Sequence, residues 1–350
     1  MNTVLTVLIA VLVFGFLIFI HELGHFLTAR AFGVRVYEFS IGMGPKLLWF
    51  DSKKSGIRYQ LCMFPFGGYV NFGEEGKDDA DFSEDPKALS NQKPYKRFII
   101  MAAGGVVNLL AGFILMFAVV VSSQLGSTVV AGFPEEIRHE EVCTADYGLQ
   151  SGDKVVSVGG KRVHTSMELD YEILRNGITP LEVVVLRGGE YVTLEITFPT
   201  ETTSGQITGT RDFSLYEEPK TFSSVMSHTF YRSICTVRMV WESLYDLITG
   251  RFGIEAVSGP VGITTTMGEA ASYGFVPLLH MVAIISINLG IVNLFPLPAL
   301  DGGRLVFVII EMIRRKPISR ELEAKIHGIG MLLLLLLTVF IMFKDIRALF

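Results

Sequence analysis

The chain has 350 residues, of which 50% are hydrophobic and only 19% are charged, and its mean hydropathy is +0.45. This composition excludes an ordinary soluble globular protein and predicts a membrane protein with a soluble portion. The net charge of −5 argues against nucleic acid as a partner.

The first apolar segment runs from about Val4 to Leu27 and carries a His-Glu-x-x-His motif at residues 21–25. A signal peptide is the alternative interpretation, but no basic stretch precedes the segment and no Ala-x-Ala site follows it. The apolar pattern also continues through the motif as far as Phe32. We therefore expect a transmembrane helix over residues 1–32.

Three further apolar segments are long enough to span a membrane, at about Phe98–Val121, Val276–Phe295 and Ile329–Phe343. Basic residues are concentrated between spans one and two and between spans three and four, which places both segments in the cytoplasm. The N-terminus, the segment between spans two and three and the C-terminal tail are then extracytoplasmic. Lys344 and Arg347 oppose that placement of the tail.

The first cytoplasmic segment contains an apolar and aromatic stretch, Ile57–Val70, in which Gly67 and Gly68 follow Pro65. This pattern predicts either a β-hairpin or re-entrant loop, or a small cytoplasmic sheet, and it does not choose between them.

The segment between spans two and three has the pattern of a soluble α+β domain over residues 128–200. Strands are predicted at Leu181–Leu186 and Tyr191–Thr197, and a helix that begins at a Ser cap at Ser166–Arg175. Residues 221–250 are amphipathic, which suits a helix on the membrane surface or one packed on the soluble domain.

The motif predicts a metal centre. His21 and His25 share one helix face and can bind a single metal ion, while Glu22 is free to act as a general base. Catalytic zinc takes three protein ligands. The three cysteines, at positions 62, 143 and 235, lie far apart, so the third ligand must be His, Asp or Glu.

Asp301 is the predicted third ligand. Spans one and three run in the same direction, so Asp301, at the cytoplasmic end of span three, lies at about the depth of the two histidines. Pro296 and Pro298 should end the helix there. The alternative is a cap or turn role in the Asp-Gly-Gly sequence. Asn293 could bind substrate or an oxyanion, whereas interhelical hydrogen bonding is the simpler expectation for Asn108.

These residues resemble the signatures of the site-2 proteases, which are intramembrane zinc metalloproteases. The two signatures are matched at His21–Phe26 and Asn293–Gly303, and the likeness extends to Phe39–Pro45, Phe66–Val70 and Ser258–Ile263. Ala145–Gly160 resembles a PDZ motif. The bacterial anti-sigma-factor protease branch that carries PDZ domains (RseP-type) is the branch that this chain resembles.

The resemblance implies one zinc ion on His21, His25 and Asp301, catalysis by Glu22 and substrate binding by Asn293. It also implies that the hairpin with Gly67 and Gly68 enters the membrane and pairs with an unwound substrate strand. Two features depart from the family. Only one PDZ domain fits the available length, and Gly104-Gly105 stands where the family often has Gly-Pro, so no role is carried over to Asn108.

The predicted fold is a polytopic α-helical membrane protein with about four transmembrane helices, a membrane-associated β-hairpin and one inserted extracytoplasmic α+β PDZ domain. The predicted segments are helix 1 with the motif (1–32), a cytoplasmic or membrane-associated β loop (33–96), helix 2 (97–123), the PDZ domain (128–200), an amphipathic connection (201–275), helix 3 with the Leu-Asp-Gly motif (276–303), a cytoplasmic loop (304–325), and helix 4 with the tail (326–350).

The predicted function is zinc-dependent hydrolysis of a peptide bond within or near the transmembrane segment of single-span proteins. The expected substrates are an anti-sigma factor in regulated intramembrane proteolysis or remnant signal peptides, in the bacterial inner membrane. The PDZ domain would be extracytoplasmic, where it excludes bulky ectodomains or binds a new C-terminus, and the active site would lie near the cytoplasmic side.

A membrane-anchored PDZ scaffold with a vestigial metal site is the alternative, against which the intact residue set argues. A solute transporter would require an inverted repeat of the spans, and the sequence shows no such repeat.

Overall fold

The computed structural model describes residues 3–73, 85–135, 143–203, 206–251 and 257–347. The helices in these ranges are α1 (Thr3–Ala31), α2 (Pro94–Ser122), α3 (Ser166–Asn176), α4 (Phe222–Thr249), α5 (Pro260–Tyr273), α6 (Phe275–Leu294), α7 (Asp301–Arg314) and α8 (Arg320–Arg347). Four of them, α1, α2, α6 and α8, are long and apolar enough to cross a membrane, which confirms the four predicted spans.

The strands are β1 (Glu38–Asp51), β2 (Arg58–Asn71), β3 (Gly126–Gly132), β4 (Lys154–Val158), β5 (Lys161–Arg162), β6 (Leu181–Arg187), β7 (Glu190–Ile196), β8 (Thr200–Thr203), β9 (Gln206–Gly209) and β10 (Ser214–Glu217). The chain divides into two compact units. One comprises Met1–Leu115 with Met239–Phe350, and is called the membrane unit below; the other comprises Met116–Arg238.

In the membrane unit, β1 and β2 form a sheet in which each strand bends back on itself. Glu38–Ile41 lie opposite Arg58–Leu61 in parallel register and opposite Gly68–Asn71 in antiparallel register. Leu48–Asp51 lie on the far side of Arg58–Leu61. The sheet therefore has two edges. Leu48–Asp51 of β1 form one edge, and Gly68–Asn71 of β2 form the other.

The core of the membrane unit joins this sheet to the helices that surround it. Its buried residues come from α1, β1, α2, α7 and the segments that connect α1, β1, β2 and α2: Ala29, Val34, Val36, Phe39, Ile57, Leu89, Ile100, Met101, Leu305 and Val308. The sheet is thus packed against the end of α1 that carries the His-Glu-x-x-His motif. Burial of these apolar side chains fixes the sheet relative to the motif helix.

The last span is tied to the same unit by a helix cap. Asp345, near the end of α8, accepts a hydrogen bond of 2.8 Å from the backbone N–H of Gly262 in the first turn of α5. A carboxylate at a helix N-terminus satisfies a free N–H and complements the helix dipole. This contact gives a structural reason for the small residues of the sequence Ser258–Ile263, because a Cβ at Gly259 would meet the carboxylate.

The second unit is an α+β unit with a sheet in the order β10-β3-β4-β6-β7. Its core contains buried residues of the strands and of α3, such as Val155, Val185 and Ile173. The sheet of this unit runs in sequence from β3 to β10, and β10 lies beyond residue 200, where the sequence predicts the end of the domain. Pairing of β10 with β3 is a long-range contact, which a local sequence pattern does not predict.

Local details of the α+β unit differ from the sequence expectation in two places. The cap of α3 is Thr165, not a serine, and Thr165 forms a capping box with Glu168. The first part of α4 packs on this unit rather than lying free: Arg238 bonds to the buried carboxylate of Glu172 at 2.6 Å, and Tyr231 stacks on His164. Up to residue 238, the structure therefore selects the second of the two interpretations of this segment.

The loop predicted at residues 304–325 is largely helical, because α7 extends to Arg314 and α8 begins at Arg320. In α7, Leu305 and Val308 are buried whereas Ile309 and Ile313 are exposed. The charged residues in this stretch predict a loop, but Arg304, Glu311 and Arg314 are part of the regular helix α7.

A buried ion pair in the α+β unit gives a pH-dependent prediction. Burial alone would raise the pKa of Asp153, but two 2.7 Å hydrogen bonds from Arg187 and one from the N–H of Gln150 hold this pKa below its ordinary value. A lowered folded-state pKa stabilises the fold above the unfolded-state pKa, and this contribution is lost as the pH falls. Asp153→Asn should therefore cost about 1 kcal/mol of unfolding free energy at pH 7, less than for a fully buried pair because the Arg187 side chain is 31% exposed.

The difference between wild type and Asp153→Asn should shrink as the pH falls below about 4, because the unfolded chain then takes up a proton at Asp153 while the folded carboxylate, with its lowered pKa, still resists protonation. Thermal unfolding of the purified full-length proteins between pH 7 and pH 3 measures it. A difference that is the same at every pH would contradict an electrostatic role for this carboxylate.

Candidate metal centre

The motif histidines lie on one face of α1, one helical turn apart, as the spacing predicted. Nε2 of His21 lies 3.2 Å from Nε2 of His25, and both residues are buried. The two nitrogen atoms therefore point toward the same small volume, which residues at i and i+4 of a helix allow.

Asp301 meets these histidines from the other end of the chain. α6 ends at Leu294, before the two prolines, and a short loop leads to Asp301 in the first turn of α7. Oδ2 of Asp301 lies 3.0 Å from Nε2 of His21 and 3.1 Å from Nε2 of His25. A Cβ at Gly302 would collide with the carbonyl of Phe295, so glycine permits the tight turn that brings the carboxylate there.

The three ligand atoms fit a zinc ion. In tetrahedral coordination with bonds of roughly 2.0–2.1 Å, neighbouring ligand atoms are about 3.3 Å apart. The separations of 3.0, 3.1 and 3.2 Å come within a few tenths of an ångström of that value. Two imidazoles and one carboxylate also leave the fourth position of a catalytic site free of protein ligands.

A backbone carbonyl orients His25. Nδ1 of His25 donates a hydrogen bond of 2.8 Å to the carbonyl oxygen of Ile100 in α2. With the proton on Nδ1, the lone pair of Nε2 faces the metal position, as in other metal sites where the second ring nitrogen is held by an acceptor.

Two asparagine amides lie beside the remaining nitrogen of His21. The Nδ2 atoms of Asn108 and Asn293 are 3.3 and 3.5 Å from Nδ1 of His21, and Oδ1 of Asn108 is buried without a partner in the described ranges. The oxygen and nitrogen of an amide exchange places by a half-turn. That half-turn lets Oδ1 of Asn108 accept from Nδ1–H of His21, which leaves Nε2 as the ligand atom.

Glycines let α2 reach the metal centre. A Cβ at Gly104 would lie 2.7 and 2.8 Å from atoms of the His21 ring and would also overlap Nε2 of His25. On the next residue, a Cβ at Gly105 would meet the carbonyl of Gly290 in α6 at 3.0 Å, and one at Gly24 would meet the carbonyl of Ala103 at 2.6 Å. Small residues at such crossings allow helix backbones to touch. The Gly-Gly pair is therefore a packing feature of this site.

Glu22 lies next to the end of β2. A Cβ at Gly68 would come within 2.9 Å of Cγ of Glu22 and of the carbonyl of Ser40. Gly67 has a φ of 104°, which favours glycine. The structure thus brings the predicted base and the predicted substrate-binding glycines together at one edge of the sheet.

The structure brings the residues singled out from the sequence close together, and it adds three contacts at the histidines to which the sequence assigned no role there. These come from Asn108, Gly104 and the carbonyl of Ile100. The contact of Asn108 with His21 is an interhelical hydrogen bond, the kind that the sequence predicted for this amide. Nothing local distinguishes a glycine or a carbonyl that faces a metal site from those that face another helix.

Comparison with known proteins identifies the family of this chain. The model of peptidase family M50 matches residues 9–337. The chain belongs to this family of site-2 proteases and is a zinc metalloprotease of the membrane, with zinc as its cofactor.

Similar full-length proteins come from several bacteria. The zinc metalloprotease RasP of Geobacillus kaustophilus is 30% identical over 425 residues, covering 100% of this chain and 99% of that one. A candidate zinc metalloprotease of Fusobacterium nucleatum is 33% identical over 354 residues, covering 99% and 100% of the two chains. The regulator of sigma-W protease RasP of Bacillus subtilis is 29% identical over 99% of both chains.

The glycine contact gives a test of the metal centre. Gly104→Ala should abolish stoichiometric zinc binding, because the new methyl group would occupy space next to both imidazoles. Gly15→Ala in α1 is the matched control, since a Cβ there meets nothing within 4 Å. Zinc content of the purified proteins measures the effect. A loss of zinc would not come from weaker helix formation, because Ala favours a helix more than Gly does. Full zinc content in Gly104→Ala would place the metal elsewhere.

Proposed function

We propose that this chain cleaves a peptide bond within or near the membrane-spanning segment of single-span proteins. The observation that carries the proposal is the convergence of His21 and His25, inside the apolar helix α1, with Asp301, which follows the apolar helix α6; Glu22 lies beside them. A hydrolytic site built on spans selects substrates that lie in the membrane. Ionisable residues on membrane-spanning helices are costly, so their presence there indicates a reaction that takes place in the membrane.

The residues have distinct roles in this proposal. His21, His25 and Asp301 hold zinc, which when bound supplies Lewis acidity to the reaction. Glu22 takes a proton from water as the water attacks the substrate carbonyl, and it then gives that proton to the leaving amine. Its place beside Gly68 puts this carboxylate where a substrate backbone can reach it.

The end of β2 is the proposed substrate-binding edge. Gly68–Asn71 pair on one side with Glu38–Ile41, and Gly68 leaves room beside Glu22. An extended substrate segment would add to this edge by main-chain hydrogen bonds. This mode suits an intramembrane protease because a helical substrate must unwind before its peptide bond is accessible.

The opposite edge of the sheet supports placement in the membrane. The consecutive residues Leu47, Leu48, Trp49 and Phe50 are 55–68% exposed. An exposed run of four large apolar residues favours contact with lipid over contact with water. We therefore infer that the sheet is a membrane-associated hairpin rather than a cytoplasmic one.

Asn293 is proposed to assist substrate binding. Its amide lies at the end of α6, 3.5 Å from Nδ1 of His21, and is partly buried. From there, the amide can orient His21 or donate to a substrate carbonyl, and the second role is the one proposed here.

The α+β unit is proposed to be a single PDZ domain. Gly148 adopts a φ of 91° before Leu149, and the sequence Gly152-Asp153 leads directly into β4, which supports the PDZ motif. On this proposal the unit is extracytoplasmic, and it excludes bulky ectodomains or binds a new C-terminus. The active site lies near the cytoplasmic side of the bacterial inner membrane.

The proposed substrates are anti-sigma factors already trimmed outside the membrane, or remnant signal peptides. Support for the first comes from a relative in Bacillus subtilis that is named as a regulator of sigma-W. The basic segments that flank the spans support the orientation.

Glu22→Gln is the central test. It should keep zinc, because Glu22 is not one of the three ligands, and should slow cleavage of a tagged single-span substrate by roughly 10²–10⁴-fold. Zinc content and initial rates in detergent or liposomes measure both properties. Wild-type cleavage by Glu22→Gln would show that another group is the base.

Asp301→Ala tests the ligand set separately. Loss of one of three protein ligands should weaken zinc binding by more than the roughly 10–100-fold that loss of an outer contact costs. Zinc affinity is measured by competition with a chromophoric chelator. An unchanged affinity would remove Asp301 from the metal centre.

A further inference from the structure

The loop that presents Asp301 contains a residue in an unfavourable backbone conformation. Ala299 has a φ of 75°, in the left-handed region that residues other than glycine rarely adopt. Within the described ranges, only one other non-glycine residue, Arg315, has a positive φ. Because Ala299 is two residues before Asp301, relaxation of its backbone would move the carboxylate away from the histidines.

The last span supplies a partner for this backbone. The N–H of Ala299 donates a hydrogen bond of 2.9 Å to Nδ1 of His327 in α8. The imidazole also packs against Phe307 of α7, with ring centroids 5.6 Å apart. His327 therefore contacts both the loop before Asp301 and the helix that begins at Asp301.

A close approach of α8 makes this contact possible. Gly330 lies one turn after His327, and a Cβ at Gly330 would come within 2.9 Å of the carbonyl carbon of Pro298 and overlap its side chain. Glycine at this position lets the helix backbone touch the loop. Helix α8 thus contacts the loop at Pro298 and at Ala299, just before Asp301.

We propose that His327 is a positioning residue for the metal centre. Its Nδ1 holds Ala299 in the left-handed conformation and thereby keeps Asp301 against His21 and His25. The proposal rests on the proposed role of Asp301 as a ligand. It assigns to the fourth span a part in catalysis, although that span contributes no group to the reaction itself.

The chemistry of the contact sets the design of the test. Nδ1 must act as an acceptor, and the other ring nitrogen, Nε2, is buried without a hydrogen-bond partner in the described part of the chain. Asparagine places its amide oxygen near the position of Nδ1, whereas glutamine places it farther out, near Nε2. His327→Asn should therefore keep the contact with Ala299, and His327→Gln should lose it.

The measurement is zinc affinity of the purified full-length protein, by competition with a chromophoric chelator. His327→Gln should bind zinc about 10–100-fold more weakly, the range found when a contact that orients a ligand is lost. His327→Asn should stay near the wild-type affinity. Leu333→Ala is the control on the same helix, since Leu333 is 61% exposed, and it should bind zinc like the wild type.

A second substitution tests the mechanism of the loss. Glycine adopts a positive φ without the cost that alanine meets. Ala299→Gly added to His327→Gln should therefore recover much of the lost affinity. A helix-packing defect at position 327 would not be repaired by a change in the loop.

The outcomes separate this inference from the proposed ligand set. Equal zinc affinity in His327→Asn and His327→Gln, or no recovery with Ala299→Gly, overturns the positioning role. If His327→Gln binds like the wild type while Asp301→Ala binds weakly, the ligand stands and only the role of His327 falls. If Asp301→Ala also binds like the wild type, both assignments fall.

Discussion

The convergence of one carboxylate on two imidazoles is the contact on which the membrane unit depends. Asp301 and His25 are 276 residues apart in sequence, yet their side-chain atoms lie 3.1 Å apart. Ionisable groups are costly in an apolar environment unless they are paired or bound to a metal ion. The helices must therefore meet at this point, and the structure shows how close packing brings them there.

That packing depends on residues without side chains. Gly24 brings α1 onto α2, Gly105 and Gly290 bring α2 onto α6, and Gly330 brings α8 onto the loop before Asp301. In lipid, apolar surface does not drive helices together as it does in water, so close backbone contact contributes much of the attraction. The weak helix propensity of glycine is tolerated because these contacts position the metal ligands.

The sheet beside Glu22 bears on a second constraint if the proposed substrate is a transmembrane helix. The peptide groups of such a helix are hydrogen-bonded to one another, and unsatisfied backbone groups are costly in lipid. On the proposed function, the strand edge beside Glu22 would offer replacement hydrogen bonds to the unwound segment. The α+β unit carries its own hydrophobic core and an ion pair between Arg187 and Asp153.

The sequence by itself determined the four spans, the helical face shared by His21 and His25 and the candidate third ligand Asp301, because apolar length and residue spacing are local properties. It also indicated the family through paired motifs. The tertiary structure decided what meets what: β10 with β3, Asn108 with His21, Gly68 with Glu22 and His327 with Ala299. Such contacts depend on how distant segments pack, and a local sequence pattern does not indicate which distant residue will be the partner.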